Sequence, residues 1–169
     1  EVHGMMRDLN LSTLSALAGL GSASTLAGAF GFQYLGGLAP CAMCLAQRWP
    51  HAGAALVALF IVIIAAIAPK LARGLTLIGA GAMLVNAGIA LYHTGVERGW
   101  WQGPTSCTGG AEDILSLSAS ELLSTDTAPA IVMCDEVAWA FAGLSMASWN
   151  GLICLALFVI WAKAAAAKA

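Results

Sequence analysis

Four stretches of this chain are long, apolar and almost free of charge, and that pattern leaves few folds open. They run from about Leu11 to Leu35, Cys44 to Ala68, Leu75 to His93 and Met146 to Ala162. A helix needs about 20 mostly apolar residues to cross the hydrocarbon core of a bilayer, at ~1.5 Å of rise per residue. Each stretch comes near that length. Lipid offers no partner for backbone N–H and C=O groups, so segments of this kind must be helices rather than isolated strands. The expectation is an all-α fold, an integral membrane four-helix bundle, forming a single domain over residues 1–169. Composition agrees: 60% of residues are hydrophobic and 9% charged, whereas a soluble domain carries about 25% charged residues.

The few charges sit in blocks. Arg7, Lys70, Arg73, Lys163 and Lys168 lie at the ends of the apolar runs, and the stretch from Glu97 to Glu136 is almost purely acidic. Nucleic acid is therefore not expected as a partner; membrane lipid is. The turn Ala68-Pro69-Lys70-Leu71-Ala72-Arg73 and both chain ends carry the cations, which places them on the cytoplasmic side. By parity the connection Gly36 to Met43 and the long segment Thr94 to Ser145 lie on the opposite, periplasmic side. Within the long segment Ile114, Leu115, Leu117, Leu122 and Leu123 are apolar, and Ser118 with Glu121 has capping-box spacing, so a short interfacial helix is expected there. Trp100, Trp101, Trp139 and Trp149 flank this segment and read as headgroup-level anchors. A cleaved signal peptide is the rival reading of the first span; it would leave an odd number of spans and break the charge rule. Glu1-Val2-His3-Gly4 precedes Met5 and Met6 and reads as an appended segment, with the native start at one of the methionines.

Five cysteines are present, four of them at or outside the ends of the spans. Pro40-Cys41-Ala42-Met43-Cys44 places a CxxC immediately before a membrane helix, a spacing that suits redox cycling. Leu45 rather than His follows Cys44, which disfavours haem attachment. Cys107 and Cys134 are widely separated and form no second CxxC, which disfavours zinc, and no metal is expected. They can pair with each other as a structural bridge or trade bonds with the first pair. With the helix starting near Met43, Cys44, Gln47, Arg48 and His51 fall on one face. A thiolate there is stabilised by the helix dipole and by Arg48 one turn away, so Cys44 is expected to be reactive near neutral pH. The bland alternatives are snorkelling for Arg48 and a satisfied neighbour contact for His51. His93 closes the third span at the same membrane level, and Cys154 reads as core packing.

The ordered combination resembles the DsbB family of quinone-linked disulfide-forming membrane proteins. The resemblance rests on Pro40-Cys41-Ala42-Met43-Cys44 with Gln47-Arg48-Trp49-Pro50-His51, on Tyr92-His93-Thr94-Gly95-Val96-Glu97 leading to Trp100-Trp101-Gln102-Gly103-Pro104-Thr105-Ser106-Cys107, and on Cys134-Asp135-Glu136-Val137-Ala138-Trp139 followed by Gly143-Leu144-Ser145-Met146 and Trp149-Asn150. It covers nearly the whole chain from about Leu11.

What the resemblance implies is a relay in the bacterial inner membrane. A periplasmic thioredoxin-like partner of the DsbA kind attacks a disulfide between Cys107 and Cys134, with Cys107 forming the mixed bond. Cys41 exchanges with that outer pair. Cys44 lies beside a quinone, ubiquinone or menaquinone, and hands it the electrons, with Arg48 polarising its oxygen; the shared helix face adds Gln47 and His51 to the expected quinone site, and the shared membrane level adds His93. Two other readings compete: a vitamin K epoxide reductase-like enzyme, whose CxxC is expected late rather than early in the chain, and a membrane scaffold whose cysteines only staple its loops.

Overall fold

The computed structural model describes residues 10–104 and 133–167. Four long helices make up almost all of it: α1 (Leu11–Tyr34), α2 (Ala42–Ile64), α3 (Pro69–Glu97) and α4 (Met146–Ala166). At ~1.5 Å per residue the shortest spans about 32 Å and the longest about 44 Å, enough to cross a hydrocarbon core of about 30 Å. All four are apolar enough to do so. The chain is a multi-pass membrane protein with a four-helix bundle fold. Each helix packs against two neighbours, α1 on α2 and α4, and α3 on α2 and α4.

Three of the helices open on side-chain caps that satisfy an otherwise unpaired amide. Asn10 accepts from the Thr13 N–H at the start of α1, Cys41 from the Cys44 N–H at the start of α2, and Ser145 from the Ser148 N–H at the start of α4. α3 instead begins with Pro69 in its first turn, where the missing N–H costs nothing. α2 runs through Pro50, which leaves the Ala46 carbonyl without its ladder bond. One residue on, the Gln47 carbonyl takes an extra hydrogen bond from Asn86 Nδ2 of α3 at 3.1 Å.

The main core lies toward the Pro69 turn and is built from Leu11, Ile61, Met83, Leu157 and a fully buried Trp161, interleaved with alanines. With lipid as apolar as the core, close contact between helices has to come from small residues. Gly79 of α3 meets the face of Trp161 so closely that a Cβ there would lie 2.6 Å from the indole ring, and Gly19 of α1 sits against Ala58 of α2 in the same manner. Leu20, Leu56, Ile63, Leu77 and Val85 point outward and exposed, forming the lipid-facing surface.

Several features differ from the sequence reading: α2 ends at Ile64 rather than Ala68, and Pro69 to Arg73, read as a turn, forms the start of α3. α3 continues to Glu97 rather than stopping at His93. The Trp101 indole occupies the space a Cβ at Gly95 would fill, so this glycine permits close packing and does not end the helix. Before α4 a two-residue hairpin pairs Ala140 with Ser145 and Phe141 with Leu144. Its turn residues Ala142 and Gly143 both have positive φ, 52° and 77°, as a type I′ turn requires. The interfacial helix expected around Ser118 and Glu121 lies outside the described residues, as do Arg7 and Lys168.

Candidate functional site

The site begins at the N-terminus of α2. Because the helix starts at Ala42, the sulfur that caps it belongs to Cys41 and not to Cys44, and it accepts the Cys44 N–H at 3.1 Å. The two sulfurs are 2.6 Å apart, so they need to close only to about 2.05 Å to bond. That approach is tighter than the roughly 3.8 Å between thiolates around a tetrahedral zinc with ~2.3 Å bonds. Although both sulfurs and a ring nitrogen of His93 lie within 4.8 Å of one another, the geometry suits sulfur–sulfur chemistry. The hydrogen bond from the Cys44 thiol holds the Cys41 thiol well below its ordinary range, overcoming burial, and His93 with the Cys44 amide adds to the effect. The Cys44 amide and His93 thus favour a thiolate at Cys41 rather than at Cys44, where the sequence reading put it.

A row of buried polar side chains runs inward from Cys41. His93 Nε2 lies 3.6 Å from its sulfur. His93 Nδ1 is 2.8 Å from Gln47 Nε2, Gln47 Oε1 accepts from Asn150 Nδ2 at 2.8 Å, and Asn150 Oδ1 is 2.8 Å from His51 Nε2. Three helices contribute to the row: α2 gives Gln47 and His51, α3 gives His93 and α4 gives Asn150. Cys154 closes the inner end, accepting from Asn86 Nδ2 at 3.3 Å, with its sulfur 3.6 Å from His51. On the outer side Glu97 approaches His93 at 4.0 Å and accepts a hydrogen bond from Ser145.

Beside this row is a cavity of about 490 Å³. Cys41, Cys44, Gln47, Arg48, His51 and His93 all line it. Arg48 donates to Gln33 Oε1 at 2.6 Å and to the Ala29 carbonyl at 3.4 Å, and its guanidinium sits over the Phe30 ring. It is therefore anchored on α1, while donors remain for a ligand among the five N–H groups of a guanidinium. The opposite wall is aromatic. Phe32, Trp139, Phe141 and Trp149 form a continuous series with centroid separations of 5.2, 6.2 and 6.2 Å. Trp139 and Trp149, read from sequence as interfacial anchors, are thus part of the cavity. Trp100 and Trp101 stay outside, Trp101 stacked on Tyr92 and donating to its carbonyl.

Cys134 is fully buried and disulfide-bonded. It shares a small apolar cluster with Cys41, Met43 and Val96, against which Cys44 packs. Its backbone also accepts a hydrogen bond from the His93 imidazole. Cys107 lies outside the described residues. Cys41, Cys44 and Cys154 carry free thiols. Sequence reasoning missed Glu97, placed in a loop, and Asn150, quoted only as part of a motif. An amide inside an apolar run is the signal that could have found Asn150, since buried polar groups in a membrane must be paired.

Residues 12–164 match the family model described as Disulfide bond formation protein DsbB. Among curated proteins, Disulfide bond formation protein B of Aromatoleum aromaticum is 34% identical over 155 residues, 85% of this chain and 87% of that protein. The protein of the same name from Stutzerimonas stutzeri is 30% identical over 164 residues, 92% of this chain and 96% of that one. That of Methylococcus capsulatus is 34% identical over 139 residues, 78% and 79% of the two chains. No solved structure matches the chain.

Proposed function

The chain belongs to the DsbB family, and from that premise we propose that it is a membrane thiol:quinone oxidoreductase that reoxidises a periplasmic DsbA-like dithiol protein. The observation that carries the reading is the adjacency of three things: a reactive Cys41–Cys44 pair, a buried disulfide-bonded Cys134 packed against it, and a ligand-sized cavity on the other side. The family resemblance supplies Cys107 as the partner of Cys134. Lys70, Arg73 and Lys163, at the opposite end of the bundle from the cysteines, support an orientation in the inner membrane with termini cytoplasmic and cysteine pairs periplasmic.

A quinone fits the residues present. The volume falls in the usual ligand range of about 300–1,000 Å³, the walls are mostly aromatic and aliphatic, and Arg48 brings N–H donors to the same space as Cys44. Arg48 would hold a carbonyl oxygen, with the aromatic wall against the ring. A bound quinone supplies the sink for the two electrons and two protons released when the inner pair closes.

Electrons enter by thiol–disulfide exchange. A thiolate of the donor protein attacks Cys107, releasing Cys134; the donor's second thiol then closes the donor disulfide and releases Cys107. An outer thiolate next attacks Cys41 Sγ, breaking the Cys41–Cys44 bond and freeing Cys44 into the cavity. The remaining outer thiol restores the outer disulfide and frees Cys41. Cys41 is well suited to close the inner bond again, because its thiolate is held by Cys44 and His93 while His93 keeps a proton at hand.

Purified protein mixed with a reduced thioredoxin-like donor and a quinone tests this reading by quinone absorbance. Consumption should require Cys41, Cys44, Cys107 and Cys134. Retained turnover in Cys44→Ser contradicts the assignment, and absence of turnover in the unaltered protein favours a scaffold with structural disulfides.

A further inference from the structure

We propose that Gln47, backed by Asn150 and His51, is a positioning residue that keeps the His93 proton on Nε2, facing Cys41, and does not itself bind the acceptor. The inference rests on the oxidoreductase reading above. Its basis is an accounting of hydrogen-bond capacity. An amide side chain has one carbonyl oxygen and two N–H groups, and Gln47, 6% exposed, has all of them engaged. Its Nε2 donates to the Met43 carbonyl at 3.1 Å and faces His93 Nδ1 at 2.8 Å, and its Oε1 accepts from Asn150.

The Met43 carbonyl fixes which way the amide points. A carbonyl oxygen only accepts, so the group facing it must be the N–H end of Gln47. The same nitrogen can then only donate to His93 Nδ1, so Nδ1 is an acceptor and a neutral ring carries its proton on Nε2. That nitrogen lies beside Cys41 Sγ and is also the one left to serve the Cys134 backbone, so its proton sits between the inner pair and the outer disulfide. Asn150 reinforces the orientation by donating to Oε1, and His51 reinforces Asn150 by donating to its Oδ1. Every donor in the row therefore points toward Cys41. In the opposite tautomer a nitrogen lone pair would face the thiolate and repel it. The other ionisable groups lining the same cavity are Cys44, Arg48 and His51 on α2, Glu97 on α3, and Glu136 before the hairpin; the hydrogen-bond partner of His93 Nδ1 is Gln47.

The test is nuclear magnetic resonance of protein labelled with 15N in histidine, of which the chain has three. At a pH where His93 is neutral, the unaltered reduced protein should give an unprotonated Nδ1 signal and a protonated Nε2 signal. A protonated Nδ1 in that sample overturns the proposal, with no variant needed. Gln47→Glu, nearly isosteric, offers only an acceptor and should convert Nδ1 to the protonated form. Gln47→Leu should mix the tautomers, move the pH midpoint of Cys41 alkylation upward and lower kcat about tenfold, the scale of one lost hydrogen bond, with the KM for quinone unchanged. A raised quinone KM with unaltered His93 signals would instead make Gln47 a ligand-binding residue and sink the inference, while leaving quinone turnover by the unaltered protein intact.

Discussion

The two ends of this bundle are held together by opposite means. Toward the Pro69 turn, contact is made by shape: Trp161 fills the space left by Gly79, alanines line the seams, and the Trp161 indole N–H is buried without a partner among the described residues. Toward the cysteines, contact is made by hydrogen bonds, with His93, Gln47, Asn150 and His51 linking three helices in a row. Each end still leaves buried polar atoms unpaired among the described residues, Trp161 Nε1 at the apolar end and His51 Nδ1 and Asn86 Oδ1 along the polar row. The polar end spends apolar contact to fix side-chain orientation, the requirement of chemistry rather than of stability.

If that division is right, substitutions at the two ends should affect different quantities. Cys44→Ser should lower quinone turnover by more than about 10³-fold, as loss of a reacting group does, with the unfolding midpoint in detergent unchanged; residual turnover would erase the distinction. Trp161→Ala should lower stability by about 3–5 kcal/mol, the range for removing a buried tryptophan, while turnover per folded molecule is preserved; denaturant unfolding paired with activity separates the two. Arg48→Ala should raise the KM for quinone about tenfold through lost charged hydrogen bonds, measured by steady-state titration.

A pH series sharpens the comparison further. Since Cys41 is held below the ordinary thiol range, its thiolate persists at pH values where a free cysteine is protonated and is lost only as pH falls through the lowered value. Alkylation of the reduced protein should stay rapid into that lower range, and His93→Ala, which removes one of the lowering partners, should shift the loss to higher pH. Cys154→Ala is expected to be the mildest change, with turnover within about twofold, because the sulfur meets only the inner end of the row.

Much of this was legible in the residues. Charge scarcity and run length were enough for four membrane helices, and Cys41, Cys44, Gln47, Arg48, His51 and His93 were singled out by spacing and do line one cavity. The parts that escaped were those decided by distant partners. Asn150 acquires its place from Gln47, more than a hundred positions earlier in the chain. The third helix reads from sequence as closing at His93, whereas it runs on to Glu97 past Gly95, whose partner, the Trp101 ring, is supplied by the segment that follows α3. The choice of Cys41 over Cys44 as the capping sulfur turned on where α2 begins, the kind of boundary that pattern alone places only to within a residue or two.

The meeting of Gly79 with Trp161 also has an effect at the far end of the membrane. These residues lie on α3 and α4, the helices that carry His93 and Asn150 roughly three to four turns further along. An indole seated over a glycine admits only one vertical setting of the two rods. Seen this way, the tryptophan serves as a depth stop: it sets how far each helix rises, and so determines whether an imidazole and an amide arrive at the same height to meet Gln47.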